Sequence, residues 1–294
     1  MAANESPSLP DTGLLLVGMG MGRVEGMTQA ALQAATHADH RRYEAYTALW
    51  PEDELMRLED IIGPVQRVMR PEVEDPEELF ALAKTSLVAL LVVGDPLQAT
   101  THVDLQLRAR ELGVTCQVHH GISITSVVTG AVGLSNYKFG RQTTLTYPYG
   151  DWIATSPLEV LASNREQNLH TLALLDLDPT GLGAGDQRPM RPEDAVQSMR
   201  LMWEKLQAEE AEPPSEEDDL LALRQSTTKR YLQRDFDDIP VVLCADMGTP
   251  EQLIVATTLG ALGNEKGGRL NCLIFPADTG EVEEKAVLRW KRGE

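Results

Sequence analysis

Apolar and polar positions fall in blocks along this chain, and the blocks predict a repeated strand–helix order. Gly13 to Val17 is a short apolar run that stops at Gly18-Met19-Gly20-Met21-Gly22. A run bounded in this way predicts a buried strand followed by a glycine-rich turn. Thr28 stands where an N-cap belongs, ahead of a helix to about Thr36. His40 to Leu49 reads as strand and loop, and Glu52 to Asp60 and Glu78 to Thr85 read as helices. A second apolar run, Leu87 to Val93, ends at Gly94-Asp95-Pro96. An amphipathic helix over about 102–112 follows, with Gly113 as its stop, and then a short strand from Thr115 to His119. This alternation predicts a mostly parallel sheet with helices on both faces.

After residue 120 the pattern changes. Gly121-Ile122-Ser123-Ile124-Thr125-Ser126 opens a helix with Ser123 as its cap. Thr143 to Tyr147 and Thr171 to Leu177 read as strands around a helix from Pro157 to Asn168. Asp178 to Asp219 is rich in Gly, Pro and acids, with one helical piece from Glu193 to Ala208 and an expected mobile loop from Glu209 to Asp219. Strands resume at Pro240 to Ala245 and Asn271 to Phe275, with a helix expected between them from Thr249 to Leu259. Glu283 to Trp290 is expected as an edge strand. The resulting organisation is a disordered extension over 1–12, an α/β domain over 13–120, and a second α/β domain over 121–294 with an acidic insertion at about 180–220.

Composition adds three constraints. At 294 residues the chain is near the size at which one core splits into two. Hydrophobic residues make up 42% but aromatics only 5%, so the core must rest on Leu, Val, Ala and Met. The net charge of −19 repels phosphate backbones and argues against nucleic-acid binding. The acid excess fits a surface adapted to a salt-rich cytoplasm, or a single insertion around Glu204 to Asp219. Its recurrence at Glu52 to Asp60 and Glu72 to Glu78 favours the adapted surface. Cys116, Cys244 and Cys272 lack paired spacing, and His119 and His120, as neighbours on a strand, point to opposite faces. Neither a disulfide framework nor a metal site is expected. No apolar run reaches membrane length and Met1 to Thr12 has no signal core, so a soluble cytoplasmic protein is expected.

The densest chemistry lies at Gly94-Asp95-Pro96 with Ala99-Thr100-Thr101-His102. In open α/β sheets ligands bind at the carboxyl ends of strands. Gly94 allows close backbone approach, Asp95 offers a carboxylate, and Pro96 stiffens the turn. An ordinary strand–turn–helix corner has the same appearance. Gly18, Gly20 and Gly22 recur at every second position, which is not the dinucleotide fingerprint.

As an ordered set, Val17 to Gly22, Glu44-Ala45-Tyr46-Thr47, Gly94-Asp95-Pro96 with Ala99 to His102, Ser123-Ile124, Tyr137-Lys138-Phe139-Gly140 and Leu169 to Leu172 with Leu175-Asp176 resemble the diphthine synthase family. That family belongs to the tetrapyrrole-methylase-like S-adenosylmethionine-dependent methyltransferases, and the likeness is to its archaeal type. The likeness is dense over 13–178 and loose over 240–276. It implies two α/β domains with mixed and parallel sheets, a cofactor in the cleft between them, and a homodimer. It implies S-adenosylmethionine as cofactor and elongation factor 2 as protein substrate, the amino group of its 3-carboxy-3-aminopropyl histidine being trimethylated to diphthine. Carried over position by position, the cofactor contacts implied are Met21, Asp95, Gln98, Ser123, Ile124, Leu175, Met247 and Asn271. No catalytic residue and no metal is implied. The polar N-terminal extension and the acidic insertion depart from the family pattern.

Methyl transfer to an amine is an in-line displacement that needs a neutral nitrogen, close placement and no competing water. Positioning alone can lower such a barrier by about 7–11 kcal/mol in favourable cases. Asp95 can hold a cofactor's polar handle or cap its own turn. Met21 and Leu175 can line a pocket or belong to the core, and Ser123 can donate to a ligand or cap its helix. His102 has the side chain of a general base, yet its place at a helix start suits a structural role equally well, as does that of His170 at a strand start. Tyr43, Glu44 and Tyr46 can face a protein substrate or form a packed cluster. Two other functions compete: a methylase of a tetrapyrrole or corrinoid precursor, and a non-catalytic acidic adaptor of a translation factor. A nucleotide-phosphate binder is disfavoured by the lack of a Gly-Lys-Ser/Thr loop.

Overall fold

The computed structural model of the chain describes residues 9–183, 187–208 and 219–292. They divide into two compact units, one running to Ile124 and taking in Leu182 and Gly183, the other holding Thr125–Gly181 and the rest.

The first unit is built on β1 (Gly13–Gly18), α1 (Gln29–His37), β2 (His40–Glu44), α2 (Glu52–Ile62), β3 (Gln66–Val68), α3 (Arg70–Glu74), α4 (Glu77–Ala83), β4 (Leu87–Val92), α5 (Val103–Glu111) and β5 (Cys116–His119). Its five strands are all parallel, in the order β3-β2-β4-β1-β5. Connections from β1 and β2 run toward the β3 edge, and those from β3 and β4 run back toward β5. Parallel crossovers are right-handed, so opposite directions place the helices on opposite faces. The packing agrees. Ala31, Ala34, Ala35, Leu55 and Leu58 of α1 and α2 meet Leu15, Val17, Ala89 and Leu91 on one face. Leu79, Phe80, Leu105 and Ala109 of α4 and α5 meet Leu14, Leu16, Val88 and Leu90 on the other. Each fully buried Leu, Val or Phe among these contributes about 1.5–3 kcal/mol. Leu9 also rests half-buried against the first of these cores, so packed structure begins ahead of Gly13. Thr28 caps α1 as its sequence suggests, accepting the Ala31 N–H at 3.1 Å.

The second unit starts within α6 (Ile124–Ala131) and continues through β6 (Thr143–Leu145), α7 (Ser156–Glu166), β7 (Thr171–Leu175), α8 (Pro192–Ala208), α9 (Asp219–Tyr231), β8 (Pro240–Ala245), β9 (Leu253–Thr258), α10 (Leu259–Leu262), β10 (Asn271–Phe275) and α11 (Glu281–Leu288). Its mixed sheet has the order β6-β7-β10-β8-β9, parallel between β6 and β7 and antiparallel elsewhere. Leu158, Leu161, Met199, Met202 and Trp203 cover one face of it. Among the described residues no helix is long and apolar enough to cross a membrane.

Two expected elements are corrected. The helix placed over Thr249 to Leu259 is largely strand β9. Its β-branched Ile254, Val255, Thr257 and Thr258 pair antiparallel with β8, and only a short α10 follows. The edge strand placed over Glu283 to Trp290 is helix α11. Glu281, Glu283 and Glu284 crowd its first turn, where they favour the positive end of the helix, and Glu283 accepts the Gly280 N–H at 3.2 Å. The expected loop over Glu209 to Asp219 lies outside the described residues up to 218, and Asp219 begins α9. β3, α3 and α9 are elements the sequence pattern does not reveal.

The second unit is tied at its chain end by one carboxylate. Glu283 accepts N–H groups from Ser135 at 2.9 Å and Gly280 at 3.2 Å, lies 3.1 Å from His170 Nε2, and pairs with Lys138 at 3.4 Å. Burial works against its charge. The two backbone donors and the His170 ring outweigh that and pull the carboxyl down to about 2. His170 is fully buried, and its Nδ1 accepts the Ala277 N–H at 2.8 Å. Its proton therefore sits on Nε2. Burial, the largest influence, pushes its pKa down, against the pull of Glu283. This histidine is structural.

Candidate functional site

β1 and β4 are neighbours whose following helices lie on opposite faces, so their carboxyl ends bound a switch point of the sheet, where open α/β folds bind ligands. Three loops leave this edge. After β1 come Met19, Gly20 and Met21; after β4, Val93, Gly94 and Asp95; after β5, His120, Gly121 and Ile122. Backbone bonds join the first two: Met19 N–H to Val92 O at 2.8 Å, Gly20 N–H to Gly94 O at 3.1 Å, and Gly94 N–H to Gly20 O at 2.8 Å. Gly20 and Gly94 take positive φ of 69° and 78°. The third loop packs onto both. A Cβ on Gly121 would lie 2.8 Å from the Gly18 carbonyl carbon and closer still to Gly94 O, and one on Gly18 would lie 2.6 Å from Gly121 Cα. Only bare backbone fits at these two positions.

Asp95 joins the loops through its side chain and is only 6% exposed. Oδ1 accepts the Leu97 N–H at 2.9 Å, and Oδ2 accepts the Gly121 N–H at 3.2 Å and lies 2.8 Å from His120 Nδ1. A carboxylate offers about four acceptor positions, so one on Oδ1 stays open for a further donor. Both readings of Asp95 are thus compatible: it caps its own turn and still has an acceptor position to spare.

The segment after Asp95 is braced from below. Ala99 adopts φ 57°. Thr100 Oγ1 donates to Pro96 O at 2.6 Å, and His102 Nδ1 donates to the same oxygen at 3.0 Å. His102 Nε2 lies 2.6 Å from Glu44 Oε2, with both side chains almost wholly buried. Thr47 Oγ1 donates to the other Glu44 oxygen. Burial is the largest influence on the His102 ring and opposes its charge. The Glu44 hydrogen bond, the Glu44 charge and the Pro96 carbonyl together overcome it, so its pKa is raised. Both ring nitrogens are engaged, and His102 is a brace rather than a base. Tyr43, Glu44 and Tyr46 are likewise buried, so of the two alternatives they form the packed cluster and do not face a protein substrate. Tyr43 Oη accepts the Trp50 N–H at 2.9 Å, and the Arg70 guanidinium lies 5.4 Å from the Tyr46 ring centre. Burial, then the charges of Glu44 and Glu74, push the Tyr46 phenol well up.

The other residues implied by the resemblance fall into two groups. In the first unit, Met21 is partly buried beside Gly20, and Ser123 is buried with its Cα 3.8 Å from the Cβ position of Gly94. Ile124 is partly buried, and Gln98 is exposed with its N–H on Asp95 O at 3.1 Å. Met21, Asp95, Gln98 and Ser123 thus gather around one edge of the first sheet. In the second unit, β10 runs antiparallel to β7 and β8 and pairs Asn271 with Ala245 and Cys272 with Leu174. Leu175 at the end of β7, Met247 just after β8 and Asn271 at the start of β10 therefore share one edge of the second sheet. The Asn271 side chain is already engaged. Its Oδ1 accepts the Gly268 N–H at 2.8 Å, and its Nδ2 donates to Gly268 O at 3.1 Å and Met190 O at 3.2 Å. Next to Met247, Asp246 holds φ 45° while its carboxylate accepts the N–H groups of Arg269 and Leu270, both at 3.0 Å.

The sequence reading missed Gly121 and His120 as members of this edge. The signal was present in a strand end at His119 followed directly by His-Gly, the same strand-to-glycine step that drew attention to Gly94.

Comparison with known proteins shows the family to which this fold belongs. The chain matches the family Tetrapyrrole (Corrin/Porphyrin) Methylases over residues 13–263. It is 36% identical over 166 residues to a diphthine synthase of Methanospirillum hungatei JF-1, an alignment spanning 56% of this chain and 66% of that relative. It is 30% identical over 281 residues to a diphthine synthase of Halorubrum lacusprofundi, covering 94% of this chain and 95% of the relative. A crystal structure of diphthine synthase superposes with a TM-score of 0.73 at 27% identity, covering 95% of each chain. With the switch-point edge, the parallel and mixed sheets and these near full-length matches in place, the chain belongs to the tetrapyrrole methylase family and is a methyltransferase.

Proposed function

We propose that this chain is a diphthine synthase, which methylates the amino group of the 3-carboxy-3-aminopropyl histidine of elongation factor 2, with S-adenosylmethionine as methyl donor. The observation that carries the reading is the near full-length likeness to diphthine synthases, 95% of the relative's length in one case. The donor supplies an electrophilic methyl carbon with a neutral thioether as leaving group.

This chain's residues fit such a donor. The bare backbone at Gly18 and Gly121 lets the three loops close tightly on one another at the strand ends, which fixes the place of Asp95 there. Asp95 keeps one acceptor position for a ribose hydroxyl or an ammonium. Met21, Gln98, Ser123 and Ile124 stand with it in the first unit; for Leu175, Met247 and Asn271 of the second unit a donor contact rests on the family likeness alone. Because the Asn271 side chain is bound to Gly268 and Met190, its contribution comes through its backbone. Placement supplies much of the protein's share of the barrier reduction, and His102 adds no acid–base step to it. The working form proposed is a cytoplasmic homodimer.

Mass spectrometry of elongation factor 2 from cells with and without this protein tests the reading. A loss of whole methyl units, up to three, from one modified histidine supports it. Unchanged elongation factor 2, with methylation of a corrinoid precursor instead, points to the tetrapyrrole substrates of the wider family.

A further inference from the structure

The chain has six histidines, and five of them are occupied or misplaced for chemistry at the switch-point edge. His102 and His170 are buried with both ring nitrogens engaged. His119 Nε2 is buried. His37 ends α1 with Nδ1 on Gln33 O, and His40 begins β2, at the opposite end of the sheet from the carboxyl edge. His120 differs from all five.

His120 directly follows β5, and it is held at three points. Its carbonyl accepts Thr28 Oγ1 at 3.1 Å, the next residue's N–H donates to Asp95 Oδ2 at 3.2 Å, and its ring Nδ1 lies 2.8 Å from the same Asp95 oxygen. Yet the side chain is 68% exposed. An exposed ring held this firmly on a buried carboxylate has a defined tautomer. Asp95 can only accept, so the neutral ring carries its proton on Nδ1. Nε2 is left as a bare lone pair on the open side of the ring, at the edge where Asp95 keeps its last acceptor position.

We propose that His120 is the general base of the methyl transfer, with Asp95 as its positioning partner. This rests on the methyltransferase reading above and adds a catalytic group to it. Nε2 takes one proton from the substrate ammonium. The N–H bond breaks, its electron pair stays on the amine nitrogen, and the ring becomes an imidazolium facing the Asp95 carboxylate. The freed lone pair forms the new N–C bond to the methyl carbon as the C–S pair departs onto sulfur. The proton then leaves Nε2 for solvent through the exposed face of the ring. A product that is still an ammonium with a proton can be deprotonated in the same way for another round. A quaternary product has no proton left to give, so the sequence ends there.

The test compares wild type with His120→Ala and His120→Gln. Gln can still donate an N–H to Asp95 but cannot act as a base, and it serves if the Ala variant does not fold. Uptake of S-adenosylhomocysteine is measured by calorimetry. Single-turnover transfer is measured on elongation factor 2 carrying the unmethylated aminocarboxypropyl histidine. Transfer is expected to fall by about 10²- to 10⁴-fold in both variants, with free imidazole restoring part of it in the Ala variant and ligand uptake unchanged within about twofold. Transfer within about threefold of wild type in either variant overturns the role. Loss of ligand uptake in step with transfer also overturns it, since His120 then only props Asp95. Absence of imidazole rescue overturns it as well. A folded wild type that methylates no elongation factor 2 is a different failure: the function proposed above is then wrong, and this role falls with it.

Discussion

The buried pair between Glu44 and His102 allows a test of the architecture that does not depend on any ligand. His102→Gln removes the positive partner of a carboxylate that is 1% exposed, leaving Glu44 with Thr47 as its remaining hydrogen-bond donor. Breaking a buried ion pair from one side costs about 3–5 kcal/mol, because the stranded charge stays out of water. At about 2–4 °C per kcal/mol for a chain of this class, the melting temperature should fall by roughly 6–20 °C. Glu44→Gln combined with His102→Gln replaces both charges by amides of similar shape and should recover much of that loss. Wild type also carries a pH signature. The folded pKa of His102 is raised above 6.5, so folded and unfolded chains both hold the proton below about pH 6.5 and the stabilisation is complete there. As pH rises, the unfolded chain releases the proton first, and the stabilisation is lost as pH passes through the raised folded value. Thermal or urea melts of wild type, the single variants Glu44→Gln and His102→Gln, and the double variant across pH 6 to 9 measure both effects. A single-variant cost below about 1 kcal/mol, or additive costs in the double variant, refutes the brace.

Three further outcomes follow from the described contacts. Gly121→Ala should destabilise the first unit by about 1–3 kcal/mol in urea melts, whereas Gly26→Ala, with nothing within 4 Å of its Cβ position, should cost far less. Glu283→Gln should destabilise the chain at neutral pH and flatten its acid unfolding. The native carboxyl titrates at about 2 against 4.5 unfolded, so its stabilisation is present above about pH 4.5 and is lost as pH falls through 2. The three thiols should resist maleimide at neutral pH until the chain unfolds: burial pushes Cys116 up to about 11, Cys272 is buried, and the hydrogen bond that the Cys244 thiol donates to Cys272, together with burial, raises Cys244.

The centre of the first unit is legible in sequence because β1 and β4 are clean apolar runs closed by glycine, and Thr28 marks its helix start unaided; β3, a three-residue polar edge strand, carries no such run. The second is less so. The apolar stretch near Leu253 is short, and its period cannot separate strand from helix. Only β8, which needs an antiparallel partner, decides the matter. Around α11 the apolar residues Val282, Ala286, Val287 and Leu288 hid a helix start that its three early acids reveal. At the site, Gly94-Asp95-Pro96 is legible as a strand end. The meaning of His102 is not, because its partner Glu44 lies on β2, far away in sequence. His120 escapes notice for a related reason. Its importance comes from Asp95 on the adjoining loop, and nothing local to His119-His120 announces that contact.

The central claim is that the Asp95 edge holds the methyl donor. Calorimetry of folded wild type and Asp95→Asn with S-adenosylmethionine or its demethylated product tests it most directly. The account predicts saturable uptake by wild type and binding at least about tenfold weaker in the variant, a difference of about 1.4 kcal/mol. Equal affinity in the two proteins, or no uptake by the folded wild type, contradicts it.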